Sequence, residues 1–100
     1  MMTIPKKVDV LGHSVSVSKA KLSDCHGQFV IDDKSGKGKI QLCRELDPDY
    51  AEKILFHELV HAVLHFSGVV ETLTDAQEEA VVRAMEHGIF PLYERRQTKK

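Results

Sequence analysis

One hundred residues suffice for one small domain and leave no room for a second core. At 42% hydrophobic and 29% charged, the chain has the composition of an ordinary soluble globular protein with a modest core. A formal net charge of −1 gives no electrostatic case for nucleic acid, and no apolar run approaches the ~20 residues of a membrane span.

The opening Met-Met-Thr-Ile-Pro-Lys-Lys has no apolar signal core after its basic pair, so the expected location is cytoplasmic. Strands are expected first, over roughly 8–43. Val8, Val10, Val15 and Val17 recur at period two around Gly12-His13, which predicts a hairpin or bent strand pair. Phe29-Val30-Ile31 and Ile40-Gln41-Leu42 flank a glycine-bearing turn, residues 32–38, and predict a second hairpin. Together they make a three- to four-stranded, mainly antiparallel sheet. Cys25 and Cys43 lack metal-motif spacing with each other, and both are expected as free thiols in a reducing compartment.

A first helix is expected over about 48–67. Asp47 is a suitable N-cap, Pro48 suits the first helical position, and Asp49 and Glu52 favour the positive end of the helix dipole. Apolar residues continue at helical spacing from Ile54 to Phe66, and Gly68 ends the run. A second helix is expected over about 75–94, opened by a capping box of Thr74 and Gln77. Gly88 and Pro91 should weaken or kink its last part, and Arg95, Arg96, Lys99 and Lys100 read as a solvated helix end. Strands followed by two helices give an α+β fold with a single domain over 1–100.

The chemistry-bearing residues lie in the middle of the first helix, as His57-Glu58-Leu59-Val60-His61. Histidines four apart project from one face, about one turn apart, so both can bind a single zinc at about 2.0–2.1 Å. Glu58 stands about 100° round the helix from His57, beside the ion but not obliged to ligate it. A carboxylate there can take a proton from water on the ion and return it to a leaving amine.

A catalytic zinc takes three protein ligands and keeps one open position. His65 extends the series His57, His61, His65, but eight residues of helix span about 12 Å, too far to converge on one ion. It is expected at the surface, at the core edge, or behind the ligands. Glu78 and Glu79 are better placed, because an αα-hairpin with a short 67–73 connection returns the chain across the first helix. Geometry alone does not separate the two. Neither Asp24-Cys25-His26 nor Leu42-Cys43-Arg44 matches the cysteine segment of peptide deformylases, which pair a Cys with two His and a catalytic Glu.

The run His57 to His65, followed by Glu78-Glu79-Ala80-Val81-Val82-Arg83-Ala84, resembles small gluzincin-type zinc peptidases. These are the minimal HExxH proteins of phages and prophages, related to the ImmA/IrrE-like and SprT-like metallopeptidases. Val10-Leu11-Gly12-His13 and Gly38-Lys39-Ile40-Gln41-Leu42 add to the likeness, which spans about residues 8–93; only HExxH is a specific motif. The metzincin class is excluded, because Leu64 and Ser67 stand where it needs Gly and His.

The resemblance implies a minimal zincin-like fold and one Zn2+ per chain held by His57, His61 and Glu79, the acid that precedes a small residue. Glu58 would be the catalytic base. Larger gluzincins hold the first His with an acid four residues after the third ligand; here that residue is Arg83, so such a partner must come from elsewhere. Tyr50, Tyr93, His65 and His87 are available to stabilise an oxyanion. Zincins also bind extended substrate on an edge strand, which places Lys39, Ile40 and Gln41 against the substrate backbone. The expected function is hydrolysis of protein or peptide substrates, in the cytoplasm of a bacterial host if the chain is phage-encoded. The alternative is a zincin-fold module that binds zinc and a partner without cleaving it. A di-iron centre needs two Glu-x-x-His pairs, and only Glu58–His61 is present.

Overall fold

Alternating valines build the first two strands, β1 (Lys7–Val10) and β2 (His13–Ala20), which pair antiparallel. Their connection is two residues long, and both Leu11 (φ 53°) and Gly12 (φ 85°) take the positive φ of a tight hairpin turn. The structure is a computed structural model and describes residues 4–23 and 26–92. The second hairpin joins β3 (Gly27–Ile31) to β4 (Gly38–Cys43), again antiparallel.

The two hairpins meet in a way that period-two patterning does not specify. Strand β4 inserts between β2 and β3, giving the order β1-β2-β4-β3, with β2 and β4 parallel. The sheet is therefore mixed rather than antiparallel throughout. Lys39, Ile40 and Gln41 consequently do not form an open edge, because β4 is paired on both sides. Ile40 is fully buried, and Gln41 accepts a 2.6 Å side-chain hydrogen bond from Gln28. The open edge on this side of the sheet is the outer flank of β3.

Helix α1 (Pro48–Ser67) crosses the sheet. Asp47 occupies the N-cap position with Pro48 at the first turn, but its side chain makes no cap hydrogen bond. Gly68 ends the helix in the left-handed conformation, φ 84°. A short 3-10 turn, Val69–Thr72, leads to α2 (Asp75–Gly88), where both bonds of the Thr74–Gln77 capping box form. Helix α2 stops at Gly88, earlier than expected. Gly88 has low helix propensity, and Pro91 lacks the N–H that would continue the ladder. The chain turns at Ile89 and is helical again at 90–92; residues 93–94 of the expected helix lie outside the described residues, as do Arg95, Arg96, Lys99 and Lys100.

Helix α1 is packed on two sides. Leu55 and Ala62 join Val10, Val15, Val17, Ile40 and Leu42 in the core against the sheet. Val60 and Leu64 pack with Val82 in a smaller cluster towards α2. Among the described residues, no helix is long and apolar enough to cross a membrane.

The approach of β3 to α1 depends on Gly27. A Cβ built at Gly27 would stand 2.6 Å from Ile54 Cγ2, a branched group that cannot swing away easily. Gly27→Ala should therefore destabilise the chain by about 1–3 kcal/mol in urea unfolding. Adding Ile54→Val should restore part of the loss, and additive losses in the double variant would show the clash is misplaced.

Candidate metal centre

At about 100° per residue, Tyr50, Ile54, His57 and His61 fall on one stripe of α1, between the face on the sheet and the face on α2. The imidazoles of His57 and His61 lie side by side, ring centroids 5.1 Å apart. Helix α2 brings Glu78, Glu79 and Glu86 against this stripe, each carboxylate taking a different position.

Glu78 accepts from His61 Nδ1 at 2.6 Å, and Glu86 accepts from His57 Nδ1 at 3.3 Å. An ionised carboxylate only accepts, so each imidazole carries its proton on Nδ1. The two Nε2 atoms are then lone-pair donors. Glu79 Oε2 stands 3.4 Å from His61 Nε2, which places two electron-rich atoms together. Such a contact calls for a cation between them, a proton or a metal ion.

The dimensions suit a metal. One ligand atom each from His57, His61 and Glu79 lie within 4.8 Å of one another. Tetrahedral zinc with bonds of about 2.05 Å sets its ligand atoms about 3.3 Å apart. The His61–Glu79 spacing matches that edge already. Among the described residues this is the one group of three or more His, Cys, Asp or Glu able to converge in this way.

Glu58 is the only charged side chain that is buried among the described residues, at 8% exposure. Burial raises its pKa above the usual carboxylate value, since desolvation disfavours the ionised form; Glu79 adds to the rise, and His61 and His57 oppose it. Glu58 and His57 line a cleft of about 640 Å³ together with Ile54, Gly27, His26 and Cys43. A larger cleft, about 890 Å³, lies past Tyr50 and Glu86 and reaches neither His57 nor Glu58. Of the candidate site's side chains, His57 and Glu58 line the smaller one.

Other candidates stand elsewhere. His65 is exposed and packs edge-on against Phe29 and Phe66, with centroids 5.9 and 5.3 Å away, and is not in the convergent group. His87 lines the larger cleft. The Cys43 thiol donates a long contact, 3.9 Å, to the Leu22 carbonyl. Tyr50 bonds His26, while Tyr93 and Cys25 lie outside the described residues.

Two features of the candidate site do not follow from the sequence. Glu86 is the partner of His57 that Arg83 could not be, seven residues past Glu79 instead of four. The signal was the helical stripe shared by Glu79 and Glu86. His26 enters the cleft from the start of β3, and no motif marks it. No protein-family model, curated protein or solved structure matches the chain, so the functional reading rests on this geometry.

The carboxylates should separate by role in a zinc titration. Glu79→Ala removes a ligand and should abolish stoichiometric binding, whereas Glu86→Ala and Glu78→Ala should weaken it about 10–100-fold. Equal losses for all three would reject the division. In the zinc-free protein, the raised pKa of Glu58 means the folded state holds this proton more tightly than the unfolded state. Its contribution to stability is then full below the ordinary carboxylate pKa and is lost as pH rises through the folded value. Glu58→Gln should accordingly stabilise the zinc-free chain at neutral pH, and the gain should vanish in acid.

Proposed function

We propose that the chain is a minimal zinc-dependent metallopeptidase of the zincin type, with His57, His61 and Glu79 as ligands and Glu58 as general base and acid. The observation that carries this reading is the convergence of His57, His61 and Glu79 beside the buried carboxylate of Glu58. Zinc in such a site supplies Lewis acidity, polarising a peptide carbonyl and making an attacking water more acidic.

The chain's own groups supply the rest. Glu58, raised in pKa by burial, is a stronger base than an ordinary carboxylate and is placed to take a proton from water and pass it to the leaving amine. Glu78 and Glu86 hold the imidazoles in one tautomer and orientation and increase their basicity as ligands. The outer edge of β3 offers backbone groups to an extended substrate in place of β4. Pairing through backbone favours extended peptides over any one side chain.

The reading is tested by loading the full chain with zinc and following cleavage of an unfolded protein such as casein. Wild type should bind one zinc per chain, and Glu58→Gln should keep the zinc while losing about 10³-fold in cleavage rate. Stoichiometric zinc without cleavage in wild type would favour the non-catalytic, partner-binding alternative. Absence of stoichiometric zinc would end both.

A further inference from the structure

The smaller cleft contains a polar group that the proposed chemistry leaves unused. His26 lines it together with His57 and Glu58, at the point where the chain enters β3. Its backbone is fixed, because the His26 carbonyl accepts from Cys43 N–H at 2.8 Å. Its ring is fixed too: Nδ1 stands 3.2 Å from the Tyr50 hydroxyl, and the two rings meet edge to face at 5.3 Å. Next to it, Gly27 lies directly against Ile54, so β3 cannot drift from α1 at this place.

The Tyr50–His26 pair has a chemical direction. When the phenol donates its proton to Nδ1, the imidazole carries its own proton on Nε2. The side chain then presents an N–H donor at the cleft. This is the reverse of His57 and His61, whose carboxylate partners keep the proton on Nδ1 and leave Nε2 as the electron-pair donor.

Distance decides what such a donor can touch. Tyr50 lies on the same stripe as His57 but seven residues earlier, about 10 Å along the helix axis. Helical side chains lean towards the N-terminus, which carries the Tyr50 hydroxyl no nearer to His57. A donor bonded to that hydroxyl is displaced from the metal ligands towards the N-terminal end of α1. An extended peptide advances about 3.3 Å per residue, so a displacement in this direction leads along the substrate away from the scissile bond.

We infer that His26 is a substrate-binding residue of this cleft, donating from Nε2 to a backbone carbonyl of an extended peptide some residues from the scissile bond, with Tyr50 as its positioning residue. The inference rests on the metallopeptidase reading. It assigns the cleft a subsite for peptide backbone at the entry to the open β3 edge, so a productive substrate must extend past the metal centre on that side.

Hydroxamates test this independently of turnover. Acetohydroxamate reaches only the metal, whereas a tetrapeptide hydroxamate also extends along the cleft. On the zinc-loaded chain, His26→Ala should weaken the tetrapeptide probe about tenfold and leave acetohydroxamate unchanged. His26→Gln, which keeps an N–H donor at similar reach, should recover most of the affinity. Tyr50→Phe should give a smaller loss, about threefold, and long-range nitrogen–proton NMR should show that the Nε2–H form of His26, dominant in wild type, is no longer fixed. Unchanged tetrapeptide affinity in His26→Ala would overturn the inference and leave the metal reading standing. Equal weakening of both probes would also overturn it, by placing His26 at the metal. Zinc-loaded wild type that binds neither probe would remove the metal reading and the inference with it.

Discussion

Helix α1 must serve three neighbours from one cylinder. Its sheet face and its α2 face each bury apolar side chains, and the stripe left between them is narrow. His57 and His61 occupy that stripe, so their imidazoles emerge where the sheet, α1 and α2 come together. The arrangement desolvates Glu58 without burying the histidines. A residue one position along from His57 is turned about 100° towards the sheet, which is why Glu58 is buried while its neighbour is half-buried. Everything proposed for the site depends on this division of the helix surface.

The same division explains what could be read from the sequence. The two histidines and Glu58 were legible because their relation is local: positions 57, 58 and 61 on one helix have fixed mutual angles whatever surrounds them. Helix α1 itself was legible from Pro48, the apolar spacing and Gly68, and the start of α2 from its capping box. The insertion of β4 between β2 and β3 was not legible. Period-two patterning shows which face of a strand is buried, but not which strands lie beside it, and Ile40 and Leu42 read the same at an edge or inside. The edge was therefore assigned to the wrong strand. His26 was hidden for a related reason. It reaches the cleft only because β3 packs against α1 at Gly27, a contact between residues 27 positions apart.

The choice between Glu78 and Glu79 shows where local geometry stops. Adjacent residues on α2 diverge by about 100°, and both can reach α1. What separates them is which nitrogen of His61 they meet. Glu78 takes the protonated nitrogen of His61, at 2.6 Å, and is largely buried; Glu79 faces the other nitrogen and is half exposed, at 50%. One side chain backs the ring from behind, and the other stands at its front, open to solvent.

That pairing also selects how the two helices sit along each other. Slipping α2 by one turn towards its N-terminus would bring Val82 and Arg83 to the places of Glu78 and Glu79. His61 would then face an aliphatic group and a guanidinium, neither of which can accept its proton, and Glu86 would leave His57. The apolar contact resists the slip as well, because Glu86 would take the fully buried place of Val82 against Val60 and Leu64. Two carboxylate–imidazole contacts near opposite ends of α2 add to this packing and align the helix pair before any ion arrives.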